Sequence, residues 1–429
     1  MTSEKSKKET VCVIGLGYVG LPLAVRAKER GYEVFGFELD QKKVDLINKQ
    51  ISPIEDEFLT KNLPNFPIEA TNDAKEIKKA DIVLICVPTP VDHLHNPDLG
   101  PVEGACELVA NNFKKGALVV LESTVNPGVS EEVVKPIFES YGYKVGVDIF
   151  IAHCPERINP GDPKWNVTNI PRVVGAFTPK GLARAKAFYE SIVDGTIRPM
   201  KHIREAEACK VVENSFRDIN IAFVNELAKS FDALGIDVKD VIDGASTKPF
   251  AFMAHYPGRG IGGHCIPVDP YYLIERAKKA GFDHKFLRTS REINNSMPDY
   301  TVELLQDKLN EVKLPVNGTN VGILGISYKA NVDDDRESPY YGIVKALKKH
   351  KAKIHSFDPH ILEKSSCKTL ETLLKKSQAI ILMTNHKEFV GITGKLLKKY
   401  GIKVIIDGMN SLDKDEIKKA GVIYKGIGR

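Results

Sequence analysis

The stretch Val11-Cys12-Val13-Ile14-Gly15-Leu16-Gly17-Tyr18-Val19-Gly20 decides the first half of the fold. Its four leading apolar residues read as a buried parallel strand. A Gly-x-Gly-x-x-Gly follows, and then a helical pattern from Leu21 to Arg30, with Pro22 in the first turn where proline is tolerated. Gly31 is placed to end that helix. Glu33-Val34-Phe35-Gly36-Phe37-Glu38 is a second strand that ends in an acid. In this setting Gly15 makes the tight turn, Gly17 lets the backbone approach a pyrophosphate, and Gly20 lets helix pack on strand. Tyr18 and Val19 lead into the helix N-terminus, which holds the phosphate charge. Glu38, 18 residues beyond Gly20, can accept from ribose hydroxyls and would repel a 2′-phosphate. The expected cofactor is therefore NAD rather than NADP.

Working outward, the strand pattern continues. Asp81–Val87 is a buried run ending in Pro88-Thr89-Pro90, and Ala117–Leu121 is another, ending in Glu122-Ser123-Thr124. Ile149–Ala152 precedes His153-Cys154-Pro155-Glu156-Arg157. Ligands of open α/β sheets sit outside the carboxyl ends of such strands. Thr89, Ser123, Thr124 and Glu156 are candidates on position, with turn or cap hydroxyls as the plain alternative for the first three. His153 and Cys154 read as structural.

Residues 205–234 form one proline-free run with apolar residues at helical spacing, stopped by Gly235. Lys210 and Asn214 are four apart and share a face. A solvated lysine is the plain reading, and an ammonium that stabilises a developing oxyanion the sharper one. The helix could serve as a dimer surface or an interdomain spine. From Asn320 a second α/β pattern begins: Asn320–Ile326, Lys353–Asp358, Ala379–Thr384 and Lys403–Asp407 read as strands. A helix starts at Ser338-Pro339, serine as cap and proline at its first position. This unit lacks a full Gly-x-Gly-x-x-Gly, so no second NAD is expected. Lys329 and Arg336, in the loop after its first strand, could hold phosphates or simply balance Asp333-Asp334-Asp335.

Between the two patterns lies Pro257-Gly258-Arg259-Gly260-Ile261-Gly262-Gly263-His264-Cys265-Ile266-Pro267-Val268-Asp269-Pro270. Glycine here permits positive φ and close backbone approach. On these residues alone, a thiol presented for chemistry and an ordinary buried cysteine are equally good readings.

Length and composition set the frame. A chain of 429 residues is too long for one core and implies two or three domains. Hydrophobic content of 42% and charged content of 27% belong to a globular protein. No window approaches the roughly 18 apolar residues of a membrane span, and the polar N-terminus lacks a signal-peptide core, so no membrane partner is expected and the cytoplasm is the expected compartment. Seven scattered cysteines without a Cys-x-x-Cys argue against disulfides and a metal site. A net charge of +5 with no basic, aromatic-laced stripe argues against nucleic acid.

The chain resembles the UDP-glucose/UDP-N-acetylhexosamine 6-dehydrogenases along its whole length. The resemblance is carried by Gly15–Pro22, Val87-Pro88-Thr89-Pro90, Glu122-Ser123-Thr124, Pro155-Glu156-Arg157, Ala206-Glu207-x-x-Lys210-x-x-x-Asn214, Gly262-Gly263-His264-Cys265-x-x-Val268-Asp269-Pro270, and the run from Tyr328 to Pro339. It implies an α/β fold of two doubly wound Rossmann-like domains joined by a long central helix and a helical middle domain. The expected division is 1–203 for NAD, 204–312 for the catalytic cysteine and dimerisation, and 313–429 for the UDP-sugar.

The implied activity is a four-electron oxidation of a sugar C6 alcohol to the acid, in a homodimer, for polysaccharide biosynthesis. Cys265 would be the nucleophile, passing through a thiohemiacetal and a thioester. Lys210 and Asn214 would stabilise oxyanions, Asp269 and Thr124 would position a water, and Glu156 would act as a base. Thr89, Thr124 and Arg336 join the implied cofactor residues. The implied substrate residues are Glu156, Arg157, Lys210, Asn214, Tyr256, Gly258, Arg259, Gly262, His264 and Lys329. Arg259 stands where relatives often have proline, and binding phosphate, meeting a neighbouring subunit and sitting in solvent are its alternatives. Thr247-Lys248-Pro249-Phe250, Tyr256-Pro257-Gly258, His264 and Asn159-Pro160-Gly161-Asp162 point to the N-acetylhexosamine branch, nearer UDP-N-acetylglucosamine than UDP-N-acetylmannosamine. Two alternatives remain: a two-electron hydroxyacid-type dehydrogenase, separated by NADH yield per sugar, and a silent NAD-binding sensor, separated by turnover.

Overall fold

The computed structural model describes residues 9–91, 97–158, 164–263 and 265–429. The chain forms two compact units, Met1–Glu213 with Tyr271–Gly281, and Asn214–Pro270 with Phe282–Arg429. In the first, β1 (Thr10–Ile14), β2 (Glu33–Phe37), β3 (Glu69–Thr71), β4 (Ile82–Ile85), β5 (Leu118–Leu121), β6 (Phe150–His153), β7 (Arg172–Ala176) and β8 (Ile197–Pro199) form one sheet. Its order is β3-β2-β1-β4-β5-β6-β7-β8, parallel except for the antiparallel β6–β7 pair. In the second unit β9 (Asn320–Leu324), β10 (Lys353–Phe357), β11 (Ala379–Leu382), β12 (Val404–Asp407) and β13 (Ile423–Gly426) form a parallel sheet ordered β10-β9-β11-β12-β13.

Why these strands lack polar alternation is visible in their packing. Val11, Val13, Ile82, Leu84, Leu118 and Val120 belong to one core cluster, and Cys12, Ile14, Val83, Ile85, Val119 and Leu121 to another. Helices cover both faces, so every position is apolar. The second sheet repeats this: Val321, Ile323, Ile381 and Ile406 pack with Val224 and Ala228 of the long helix Ile203–Leu234, while Leu324, Ile380 and Ile405 face the other core. On that long helix Val212, Phe216 and Phe223 remain about half exposed. Ser338 caps the helix Pro339–Lys349 through Tyr340 N, with proline at its start as expected. Strands β3, β7, β8 and β13 are additions to the sequence reading; β3 and β8 have three residues each, too short for a periodic signal. Among the described residues, no helix is long and apolar enough to cross a membrane.

Candidate active site

The turn after β1 is shaped for a phosphate. Gly15 has φ +87° and its N–H bonds Phe37 O at 2.9 Å. A Cβ there would lie 2.8 Å from Cys86 O. A Cβ on Gly20 would lie 2.0 Å from Gly15 O, so helix and turn touch backbone to backbone. Gly17 differs: a Cβ there would meet nothing within 4 Å. Two glycines are thus required by the protein's own packing, while the third borders open space where a ligand can approach. Tyr18 lies in the turn, half-buried, and Val19 is the residue from which the helix Gly20–Glu29 starts. Glu38 Oε2 accepts Leu16 N–H at 3.0 Å and Oε1 accepts Asp40 N–H at 3.2 Å. Each carboxylate oxygen has further acceptor capacity for ribose hydroxyls. These residues fit NAD.

Further strand ends of this sheet carry the polar candidates. The Thr89 carbonyl, after β4, accepts from the Tyr272 hydroxyl. Ser123 Oγ donates to Val87 O at 2.7 Å, tying β5's end to that of β4, which is the plain structural role. Thr124 next to it is half-buried, and among the described residues its hydroxyl makes no hydrogen bond. Glu156 is buried and held on every side: Oε2 meets Arg172 at 2.6 Å, and Oε1 accepts from Arg157 N at 2.6 Å and Ile158 N at 2.7 Å. Arg157 itself pairs with Glu213 at 2.6 Å.

Behind Glu156 lies a buried cluster that the sequence reading missed. Arg172 bridges Glu156 and Glu122, and the Tyr189 hydroxyl donates to Glu122. Burial pushes Glu122 up to about 7, opposed by Arg172 and assisted by the Glu156 charge. A charged residue opening the apolar run Arg172-Val173-Val174 was the available signal, because a buried arginine demands an acid. His153 and Cys154 are buried, and burial lowers His153 to about 3. Glu207, in the Ala206-Glu207 pair of the long helix, has a structural role. It accepts Gly128 N–H at 2.6 Å and Ser130 N–H at 2.8 Å and so fixes the loop after Thr124.

In the second unit, Cys265, Asp269 and Asn214 come together. Cys265 O accepts Asp269 N–H at 2.8 Å, which sets the thiol one turn before the helix Asp269–Lys279. The buried Asp269 carboxylate accepts the Asn214 amide at 2.6 Å. Lys210 precedes Asn214 by four residues on the same helix, is half-buried, and among the described residues has no carboxylate partner. All seven cysteines, Cys265 included, are outside disulfides.

The glycine segment before the thiol is packed on protein. A Cβ on Gly262 would lie 2.5 Å from Tyr328 Cβ and 3.0 Å from Pro339 Cδ. Gly263 has φ +84° and donates to Arg336 O at 2.9 Å. Burial, then the Asp334 and Cys265 charges, push the Tyr328 phenol up to about 12. Gly258 N–H donates to Asn225 Oδ1 at 3.0 Å, and Asn225 is bonded through Asn294 to Asp218. Tyr256 is exposed and bonds Asp243. Lys329 is half-buried in the loop after β9. Arg336 is paired with Asp334 at 2.6 Å, in line with the charge-balance alternative. Arg259 is buried, which removes its solvent alternative. His264 and Asn159–Asp162 lie outside the described residues.

The same unit contains a grouping with metal-ligand character, His360, His386 and Glu388. His386 Nδ1 accepts Asn331 N–H at 2.9 Å, and Nε2 lies 3.2 Å from Asp358. With Nε2 protonated toward that acid, the ring has no lone pair left for a metal.

A cysteine one turn before an amide-bonded carboxylate, and a separate dinucleotide turn, are compatible with a dehydrogenase. Family profiles agree over three segments: residues 9–193 match the NAD binding domain of the UDP-glucose/GDP-mannose dehydrogenase family, 204–296 its central domain and 322–414 its UDP binding domain. The chain belongs to the UDP-glucose/GDP-mannose dehydrogenase family. It is an NAD-dependent UDP-sugar dehydrogenase. It is 33% identical to a UDP-N-acetyl-D-mannosamine dehydrogenase of Pyrococcus horikoshii, over 98% of this chain and 99% of that one. It is 34% identical to a UDP-N-acetyl-D-glucosamine 6-dehydrogenase of Pseudomonas aeruginosa, over 95% and 98%. The solved Pyrococcus horikoshii UDP-N-acetylmannosamine dehydrogenase aligns with a TM-score of 0.91 over 98% of this chain and 99% of that one, at 33% identity.

Proposed function

We propose that this dehydrogenase oxidises the C6 hydroxyl of a UDP-N-acetylhexosamine to the uronic acid, with UDP-N-acetylglucosamine as the sugar. NAD bound at the Gly15–Gly20 turn supplies a hydride acceptor, two per sugar. The Cys265 thiolate adds to the C6 aldehyde as a thiohemiacetal. Its oxidation gives a thioester, and water releases the acid and returns the thiol. Lys210 and Asn214 donate to the C6 oxygen as it gains charge; the Asn214 amide keeps a second N–H for this when one is held by Asp269. Asp269 and Thr124 orient the water, and Glu156 serves as the base for hydrolysis. Arg157, Tyr256, Gly258, Gly262, His264 and Lys329 are assigned to the sugar nucleotide, Thr89 and Arg336 to the cofactor. The observation that carries the reading is the Cys265–Asp269–Asn214 arrangement, in which one helical turn links the thiol to a buried carboxylate that is bonded to an amide.

The division 1–203, 204–312 and 313–429 and a homodimer belong to the same proposal. Val212, Phe216 and Phe223 share one helical face and stay about half exposed, which supports a partner chain there. UDP-N-acetylmannosamine is the second reading, favoured by the names of the Pyrococcus horikoshii and Methanococcus maripaludis relatives. Steady-state rates on UDP-N-acetylglucosamine, UDP-N-acetylmannosamine and UDP-glucose decide the sugar. Two NADH per sugar are expected, and a yield of one removes the four-electron route. Cys265→Ser should lower acid formation at least about a thousandfold while NAD binding persists. Wild-type turnover in that variant would end the thioester mechanism.

A further inference from the structure

Arg259 lies over the carboxyl ends of the second sheet. Its backbone N–H donates to Gly408 O at 3.2 Å, just after β12. Its Nη2 donates to Tyr328 O at 2.8 Å, in the loop after β9. The sheet order is β10-β9-β11-β12-β13, so the strand order reverses between β9 and β11. A side chain reaching from the β12 end to the β9 loop crosses that reversal, where open α/β sheets take their ligands.

Among the described residues the charge of this arginine is uncompensated. The residue is 6% exposed, and its Nε is buried with no hydrogen-bond partner. Its other acceptors are carbonyls, Tyr328 O and, at 3.5 Å, Gly260 O. Among the described residues no carboxylate pairs with it. The acids at the neighbouring strand ends are engaged elsewhere: Asp407 with Met409 N, Leu412 N and the Tyr424 hydroxyl, Asp358 with Ile326 N, Ser327 N and His386. Burial alone lowers Arg259 to about 10, with no acid opposing it. A buried cation without an anion is costly. Guanidinium N–H groups left without acceptors suit phosphate oxygens, which they can meet in pairs.

We propose that Arg259 is the anion anchor of the second unit and pairs with the diphosphate of the UDP-sugar. This rests on the UDP-sugar reading above. The alternative is a tie between loops, made through carbonyls alone. The two differ in which ligands they affect. Calorimetry with UDP and an NMR titration with uridine, on the full chain, separate them. For Arg259→Gln the expected result is a loss of UDP affinity of about 10- to 100-fold, with uridine and NAD affinities within twofold of wild type. Arg259→Lys should retain part of the UDP affinity, and it carries the test if the glutamine variant does not fold. UDP affinity unchanged in both variants overturns the proposal. So does a parallel loss for UDP and uridine, since a loosened loop would weaken both. Wild-type protein that binds no UDP also overturns it. Wild-type protein that binds UDP yet oxidises no UDP-sugar refutes the dehydrogenase reading instead, and the titrations still decide Arg259.

Discussion

The two α/β units make the same first turn and then treat it in opposite ways. Gly15 N–H bonds Phe37 O at 2.9 Å, and Gly325 N–H bonds Phe357 O at 2.9 Å; both glycines have positive φ, +87° and +94°. In each unit an acid at the end of the second strand accepts backbone N–H groups from that turn: Glu38 from Leu16, Asp358 from Ile326 and Ser327. Two residues past the turn glycine the units part. The first has Gly17, bordering open space. The second has Ser327, fully buried, whose hydroxyl bonds Lys329 O at 3.0 Å and lies 3.1 Å from His386. One turn is left open for a dinucleotide and the other is filled by the protein. The topology alone therefore does not specify a cofactor; whether side chains fill the turn does.

The contrast can be broken at four points. The largest effect is expected from Asp358→Asn. Burial raises this acid, but hydrogen bonds from His386, Ser327 N and Ile326 N outweigh it and hold it below the ordinary carboxylate range. Urea denaturation should show a loss of about 3 kcal/mol. Because the native value is depressed, this contribution is fully present above the unfolded value of about 3.9 and disappears as pH falls below it. The gap between wild type and Asp358→Asn should accordingly be constant above about pH 5 and narrow progressively as pH falls from about 4 toward the depressed native value; a gap that does not change with pH in that range would mean the acid is not held as described.

Gly17→Val comes next. NAD affinity should fall about 100-fold, because the backbone can no longer approach the pyrophosphate, while the melting temperature barely moves. A cofactor titration beside a thermal melt reads both. Glu38→Gln should cost about tenfold in NAD affinity and under about 1 kcal/mol of stability. If it destabilises as much as Asp358→Asn, the two acids play one role and the comparison fails. The smallest effect is Ser327→Gly, about 1 kcal/mol less stable. Equilibrium dialysis should still find one NAD per chain, and a second would mean that Ser327 alone had closed that turn.

The fold was largely legible because both sheets are covered on two faces. That produces unbroken apolar runs such as Val11–Ile14 and Ile380–Leu382, which period-based reading detects well. Short edge strands such as β3 and β8 escaped because three residues carry no period. For the site, the glycine turn, Glu38, and Cys265 with Asp269 four residues on were readable as local patterns. The Asn214–Asp269 bond was not, since 55 residues separate its partners. The Glu122–Arg172–Glu156 cluster was hidden for the same reason. The glycines before Cys265 suggested a loop open to ligand, yet Gly262 is needed because Tyr328 and Pro339 leave no room for a side chain. Composition cannot distinguish a glycine that admits a ligand from one that admits a neighbouring loop.

That glycine segment bears on the cost of recognition. Gly258, Arg259 and Gly263 donate their amide protons to Asn225, Gly408 and Arg336. A mobile glycine-rich loop would surrender chain entropy at every binding event, at about 1–2 kcal/mol for each residue that becomes fixed. Here the ordering accompanies folding and is settled once. The segment before Cys265 is thus preorganised, and the binding energy of an incoming UDP-sugar is not spent on ordering it.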